Sequence, residues 1–321
     1  MTFLATANAP RLAGAEVVFS DCDPDTGLVR VTDLESAMRA NRHGRLKAVI
    51  PVHLNGQCAD MQAIGALAGD NGIRVIEDAS HALGARHVSA AGESGFVGCC
   101  SHSDLAVFSG HPVKAIAMGE GGVITTNSDL FQERLLRARN HGITRDSRHF
   151  EHAELALDDG GRPNPWYYEM QEPGFNYRAS DIHCALGLSQ LRKLDRFVER
   201  RRQLVGIYNR ELASLSPIVR PVSRSPHCLP AWHLYVVLID FGQAGRTRAE
   251  VMRTMEAAGI GTQVHYIPVH KQPYYRKRYG DLRLPGAESY YSRALTLPLF
   301  PSMSGEDVTN VVAALRSSLG V

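Results

Sequence analysis

Within Val107-Phe-Ser-Gly-His-Pro-Val-Lys114 the chain gathers a hydroxyl, an imidazole and a single lysine, and Gly119-Glu-Gly-Gly122 follows at once. One lysine on a rigid loop at a strand end suits Schiff-base chemistry. Its neutral amine is the nucleophile, so the site must lower its pKa by desolvation or by a nearby cation. Upstream, Ile73-Arg-Val-Ile-Glu-Asp78 ends in two carboxylates. A buried carboxylate there can keep the ring nitrogen of a pyridoxal cofactor protonated, so that the ring draws electrons from a carbanion. Each residue also has a plainer reading: Lys114 as a solvated surface charge, Asp78 as a cap or turn former. His81, in Ala79-Ser-His-Ala-Leu-Gly84, is a structural histidine or a cofactor contact, whereas His265 and Tyr266 are structural residues or face the cleft from a C-terminal-domain strand.

The elements that must position these residues alternate in type. Strands are predicted at residues 16–20, 47–53, 73–78, 105–108 and 123–126. Helices are predicted at 33–40, capped by Thr32 or Asp33, at 60–68, and at 128–139, capped by Asn127 or Ser128. Strand–helix–strand at this spacing implies βαβ units and a mostly parallel sheet, with ligands outside the carboxyl ends of its strands. Asp78 and the loop from Ser109 to Lys114 both fall at such ends. Residues 140–171 are polar, rich in turn formers and too long for a plain connection. One long helix is predicted from Ser180 to about Ser214. After Pro217 the pattern changes to strands at 232–240 and 261–268 and helices at 248–258, 288–295 and 304–319. The predicted organisation is an α/β large domain over 1–215, ending in the long helix, and a smaller α+β domain over 216–321.

Composition narrows the function classes. A net charge of +2 over 321 residues argues for neither nucleic acid nor membrane as a partner. No apolar run approaches the ~20 residues of a membrane helix. The six cysteines form no CxxC pair and no disulfide framework, which fits a reducing, cytoplasmic setting. There is no HExxH, GxGxxG or P-loop, and no metal site is expected.

Taken in order, Thr2-Phe-Leu-Ala-Thr-Ala-Asn8, Val75-Ile-Glu-Asp-Ala-Ser-His-Ala-Leu-Gly84, the Ser109–Gly122 loop, Arg139-Asn-His-Gly142 and Gly174-Phe-Asn-Tyr-Arg178 resemble the DegT/DnrJ/EryC1/StrS sugar-nucleotide aminotransferases, fold-type-I pyridoxal phosphate enzymes. Trp166-Tyr-Tyr-Glu-Met-Gln171, Leu188-Ser-Gln-Leu191 and Val264-His-Tyr-Ile-Pro-Val-His270 are similar to one branch, the UDP-4-amino-4,6-dideoxy-N-acetyl-β-L-altrosamine transaminases of pseudaminic acid biosynthesis. The resemblance implies pyridoxal 5'-phosphate as cofactor, glutamate and 2-oxoglutarate as the amino donor pair, and a UDP-linked 4-keto-6-deoxy sugar as acceptor. It makes Lys114 the Schiff-base residue. Asp78 pairs with the ring nitrogen, His81 and Phe3 lie against the ring, and Ser109 binds the phosphate. Asn176 reaches the cofactor of the neighbouring subunit in a homodimer, and Tyr177, Arg178, His265 and Tyr266 line the sugar-nucleotide pocket.

Three departures from the family pattern stand out. The family begins several dozen residues earlier, with a Ser-Gly-Thr-type segment that helps cradle the phosphate. Gly110 replaces an aromatic after the serine, and Ala115, Ala117 and Met118 replace Pro and Thr. The last two changes predict a looser loop, since glycine adds backbone freedom. The alternatives are an aminotransferase acting on another nucleotide-linked keto sugar, and a shortened, non-catalytic paralogue that binds cofactor poorly.

Overall fold

Four strands form the sheet that carries Asp78, in the order Ala48–Val49, Arg74–Asp78, Leu105–Ser109, Gly122–Thr125. The computed structural model describes residues 1–41, 44–89, 92 and 94–321. The first two junctions are parallel and the last is antiparallel. Asp78 lies opposite Val107, and Ser109 opposite Gly122. The lysine loop and Asp78 therefore leave the same edge of the sheet, the carboxyl end of its parallel strands. Because side chains alternate along a strand, Glu77 and Asp78 serve opposite faces.

The helices Met61–Asp70 and Asp129–Ala138 start where a side chain satisfies a free N–H. Asp60 accepts from Ala63 at 3.1 Å, and Ser128 from Phe131 at 3.4 Å. The helix expected at 33–40 spans Val31–Ala40 instead. Arg30 is its N-cap, and Asp33 at N3 reaches back to the Arg30 guanidinium at 2.7 Å.

Three other expectations are corrected. Residues 16–20 form no strand: among the described residues no strand pairs with them, and the Val17 N–H donates to the Tyr279 hydroxyl at 3.0 Å instead. A cleft of about 480 Å³ is lined by residues 15–22 together with residues 45–50 and Val52. The expected strand at 47–53 is correspondingly short, Ala48–Val49, with one further bridge from Val52 to Asp78. The long helix is two, Asp181–Leu191 and Leu194–Leu212. The first buries none of its residues, whereas the second buries Val198, Leu204, Val205, Tyr208 and Leu212. The break lets two apolar stripes face different surroundings.

A second sheet is antiparallel, ordered Ala294–Leu297, Tyr235–Ile239, Val219–Pro221. Helices Leu194–Leu212, Arg248–Ala257 and Gly305–Leu319 cover it, burying Leu204, Tyr208, Val237, Met255, Leu295 and Leu315 in one core. The strand expected at 261–268 contributes only a bridge from Gln263 to Thr296. Its place beside Tyr235–Ile239 is taken by Ala294–Leu297, an all-buried run that the sequence pattern assigns to the end of a helix. That helix stops at Arg293.

Candidate active site

The lysine loop is closed by its own backbone. Gly110 donates to the Gly121 carbonyl at 2.9 Å, Met118 to the Gly110 carbonyl at 2.8 Å, and Lys114 to the His111 carbonyl at 2.9 Å. A looser loop is not what Gly110 brings. A β-carbon there would lie 2.2 Å from Cγ of Met118, whose buried side chain also packs on Gly121 and Gly187. The two departures compensate each other, the methionine filling the space the glycine leaves. Gly119 has φ +85°, and a β-carbon on it would strike the His183 ring at 2.7 Å, so the turn that ends the loop requires glycine.

Around Lys114 the chain converges from five directions. Asp78 ends its strand, His81 follows in the next turn, His233 precedes strand Tyr235–Ile239, His265 and Tyr266 come from the C-terminal half, and Phe3 from the first residues. Half-buried Lys114 has its pKa lowered by burial, against the opposing pull of the Asp78 carboxylate. Asp78 accepts the Thr6 hydroxyl at 2.6 Å and the Ser80 N–H at 3.2 Å, and Thr6 in turn pairs with Thr2 at 2.5 Å. Burial and the charge of Lys114 hold His81 and His233 well below the usual histidine range, and push His265 down to about 4. Three neutral imidazoles and an amine biased toward neutrality thus share one low-polarity pocket.

Contacts tie these rings together. The Tyr266 hydroxyl and His81 Nε2 lie 3.0 Å apart. Phe3 stands 5.5 Å from Tyr266, centroid to centroid, and His265 Nδ1 meets the Thr296 hydroxyl at 2.8 Å. Ser109 Oγ, at the other end of the loop, accepts the His111 N–H at 3.3 Å. Of the ten residues singled out from the sequence, seven fall here: Phe3, Asp78, His81, Ser109, Lys114, His265 and Tyr266.

Asn176, Tyr177 and Arg178 do not join them. Asn176 bridges to Asn140, the Tyr177 N–H donates to the Arg139 carbonyl at 2.9 Å, and Arg178 donates to Asn140 Oδ1 at 2.5 Å. All three are exposed. The two motifs meet through glycine: a β-carbon on Gly174 would lie 2.2 Å from the Gly142 nitrogen.

Residues the sequence reading passed over also belong to the pocket. Thr6 orients Asp78, and His233 packs on His81. The Arg201 guanidinium, buried and lowered to about 10 by that burial, donates to the carbonyls of His233 and Leu299 at 2.9 and 2.8 Å. Only the distance between these segments hid them, since Arg201 reads as one of a run of helix-face arginines.

The described residues also hold one cluster with the makings of a metal site, His53, Glu77 and His87. It lies on the face of the strand opposite to Asp78. Glu77 takes His53 Nε2 at 2.7 Å, His87 Nε2 at 3.3 Å and the Ser103 hydroxyl. Burial pushes its carboxyl up, but these donors outweigh that and hold it well below the usual range. His53 Nδ1 accepts the Ala59 N–H at 3.2 Å, which leaves its proton on Nε2, facing Glu77. Hydrogen bonds to Glu77 hold the group together, and His87 Nδ1 is left without a partner among the described residues.

For a pyridoxal cofactor the residues present fit. An amine biased toward neutrality faces a carboxylate, an aromatic wall stands beside them, and the buried Nδ1 atoms of His81 and His233 have no partner among the described residues. An orphaned polar atom in a pocket is an opening for a ligand.

Several known proteins are similar to this chain along nearly its whole length. The spore coat polysaccharide biosynthesis protein SpsC of Bacillus subtilis is 37% identical over 319 residues, 98% of this chain and 77% of its own length. The Methanocaldococcus jannaschii protein MJ1066 is 36% identical, again over 98% of this chain and 77% of its own. Among solved structures, Helicobacter pylori PseC, an aminotransferase of pseudoaminic acid biosynthesis, superposes with TM-score 0.85 at 25% identity, over 99% of this chain and 78% of its own. S. venezuelae DesV superposes with TM-score 0.81 at 29% identity, over 100% of this chain and 76% of its own. The fold is that of the type I pyridoxal phosphate aminotransferases. The DegT/DnrJ/EryC1/StrS aminotransferase family model matches residues 1–316, and the chain belongs to that family of enzymes.

Proposed function

We propose that this aminotransferase uses pyridoxal phosphate to move an amino group from glutamate to C4 of a UDP-linked 4-keto-6-deoxy-N-acetylhexosamine. The observation that carries the cofactor part is the meeting of Lys114 and Asp78 at one edge of the sheet, in a pocket whose burial favours the neutral amine. The substrate part rests on the branch-like segments Trp166–Gln171 and Val264–His270, supported by the superposition on PseC.

Bound at this site, the cofactor supplies an electron sink for the carbanion that transamination requires. Lys114 holds the cofactor between turnovers. With the cofactor bound, the Lys114 Nζ would act as the general base and acid that moves the proton. Asp78, oriented by Thr6, keeps the ring nitrogen charged. His81 and Phe3 would hold the ring, and the Ser109 hydroxyl would donate to the phosphate. His265, Tyr266, Tyr177 and Arg178 meet the sugar nucleotide. Asn176, exposed and outside its own pocket, would serve the partner's pocket in a homodimer. Glutamate in and 2-oxoglutarate out, followed by the keto sugar, gives ping-pong kinetics.

The test is to incubate cofactor-loaded protein with glutamate and the UDP-4-keto sugar, and to weigh the product. A 4-amino UDP-sugar, formed with one 2-oxoglutarate, supports the reading. Reaction only with a sugar on another nucleotide would move the substrate while leaving the chemistry. No amine from any nucleotide-linked keto sugar would sink it.

A further inference from the structure

The backbone of His233 is fixed on both sides. Its N–H donates to the Asn55 carbonyl at 3.0 Å, and its carbonyl accepts from Arg201 at 2.9 Å. Its side chain is 5% exposed and its ring lies 4.6 Å from the His81 ring, tilted by 47°. His81 itself is held at one atom, Nε2, by Tyr266. A histidine ring turns easily about its outer torsion, so one hydrogen bond leaves its tilt soft. A ring packed against it restricts that freedom.

We propose that His233 is a positioning residue that sets the plane of the His81 ring against the cofactor. This rests on the pyridoxal phosphate reading above. The device runs from Arg201 and Asn55, which fix the His233 backbone, through the His233 ring to His81 and Tyr266. Both imidazoles stay neutral, because burial and the charge of Lys114 oppose protonation, so the stack carries no charge repulsion. Neither Nδ1 has a partner among the described residues, so packing rather than hydrogen bonding at that atom holds the pair.

The test compares wild type with His233→Ala, His233→Phe, His81→Ala and the double alanine variant. All are titrated with pyridoxal phosphate and followed by visible circular dichroism, which reports ring orientation. His233→Ala should retain its far-ultraviolet spectrum, hold cofactor about three- to tenfold less tightly and lose visible dichroism relative to absorbance. His233→Phe should restore both, because the stack and not a ring nitrogen does the positioning. In a His81→Ala background, His233→Ala should add nothing further. A folded His233→Ala with wild-type dichroism and affinity would overturn the proposal, as would additive losses in the double variant. Should His233→Ala fail to fold, His233→Phe carries the test: a wild-type signal supports the stack, and a signal as poor as that of His81→Ala overturns it. A wild type with no visible band at saturating cofactor overturns the cofactor reading and this proposal together.

Discussion

The pocket around Lys114 and the segment from Phe175 to Leu191 carry residues of one proposed site, yet they are built differently. In the pocket, strand ends, turns and the C-terminal half pack together, and His81 and His233 are 7% and 5% exposed. In the segment, Tyr177 is 72% exposed and Ile182 81%, and the helix Asp181–Leu191 buries none of its residues. Apolar surface of this kind is what an interface with a second copy of the chain, as proposed, would cover. Under the proposed homodimer, one part of the site is finished by its own chain and the other by contact with a second copy.

Substitutions can break this contrast. The largest effect belongs to Lys114→Ala, which should cut transamination by at least about 10³-fold and abolish the visible cofactor band, as read by steady-state rates and absorbance. Asn176→Ala alone should be inactive in a homodimer. Mixed with Lys114→Ala subunits it should recover activity that neither variant has, because one hybrid pocket is then intact. Absence of rescue in verified mixed dimers would place Asn176 outside the partner's site. Ile182→Glu should convert a dimer to monomers by sedimentation while moving the unfolding free energy by less than about 0.5 kcal/mol, because the residue is exposed within its own chain.

Protonation sharpens the other side of the comparison. His265 is pushed down to about 4 from an ordinary 6.5, so between these values the unfolded chain binds more protons than the folded one. Stability should therefore fall as pH drops from about 6.5 to about 4, and His265→Gln should flatten that fall in chemical-denaturation midpoints. The smallest effect is local. Gly110→Ala should cost about 1–3 kcal/mol by forcing a methyl group onto Met118, and Met118→Ala in the same chain should return part of it.

Much of the pocket was legible because its residues lie in two short motifs at strand ends, where parallel sheets present ligands. Period-2 and period-3.6 patterns located Arg74–Asp78, Leu105–Ser109 and Met61–Asp70. They failed where pairing decides the outcome. Residues 16–20 have a strand's composition but no strand to pair with among the described residues, and Ala294–Leu297 is a strand only because Tyr235–Ile239 lies beside it. Gly110 and Met118 read singly as loosening changes, and only their contact reveals a plug. His233 and Arg201 were invisible for the same reason: an imidazole before an apolar strand and an arginine in a basic helix gain meaning only from what they meet in space.

The central claim is that Lys114 holds pyridoxal phosphate. Borohydride reduction of the cofactor-loaded protein, followed by peptide mass mapping, tests it directly. The prediction is one phosphopyridoxyl group on the peptide containing Lys114 and none after Lys114→Ala. Labelling of a different lysine, or none at saturating cofactor, would contradict it.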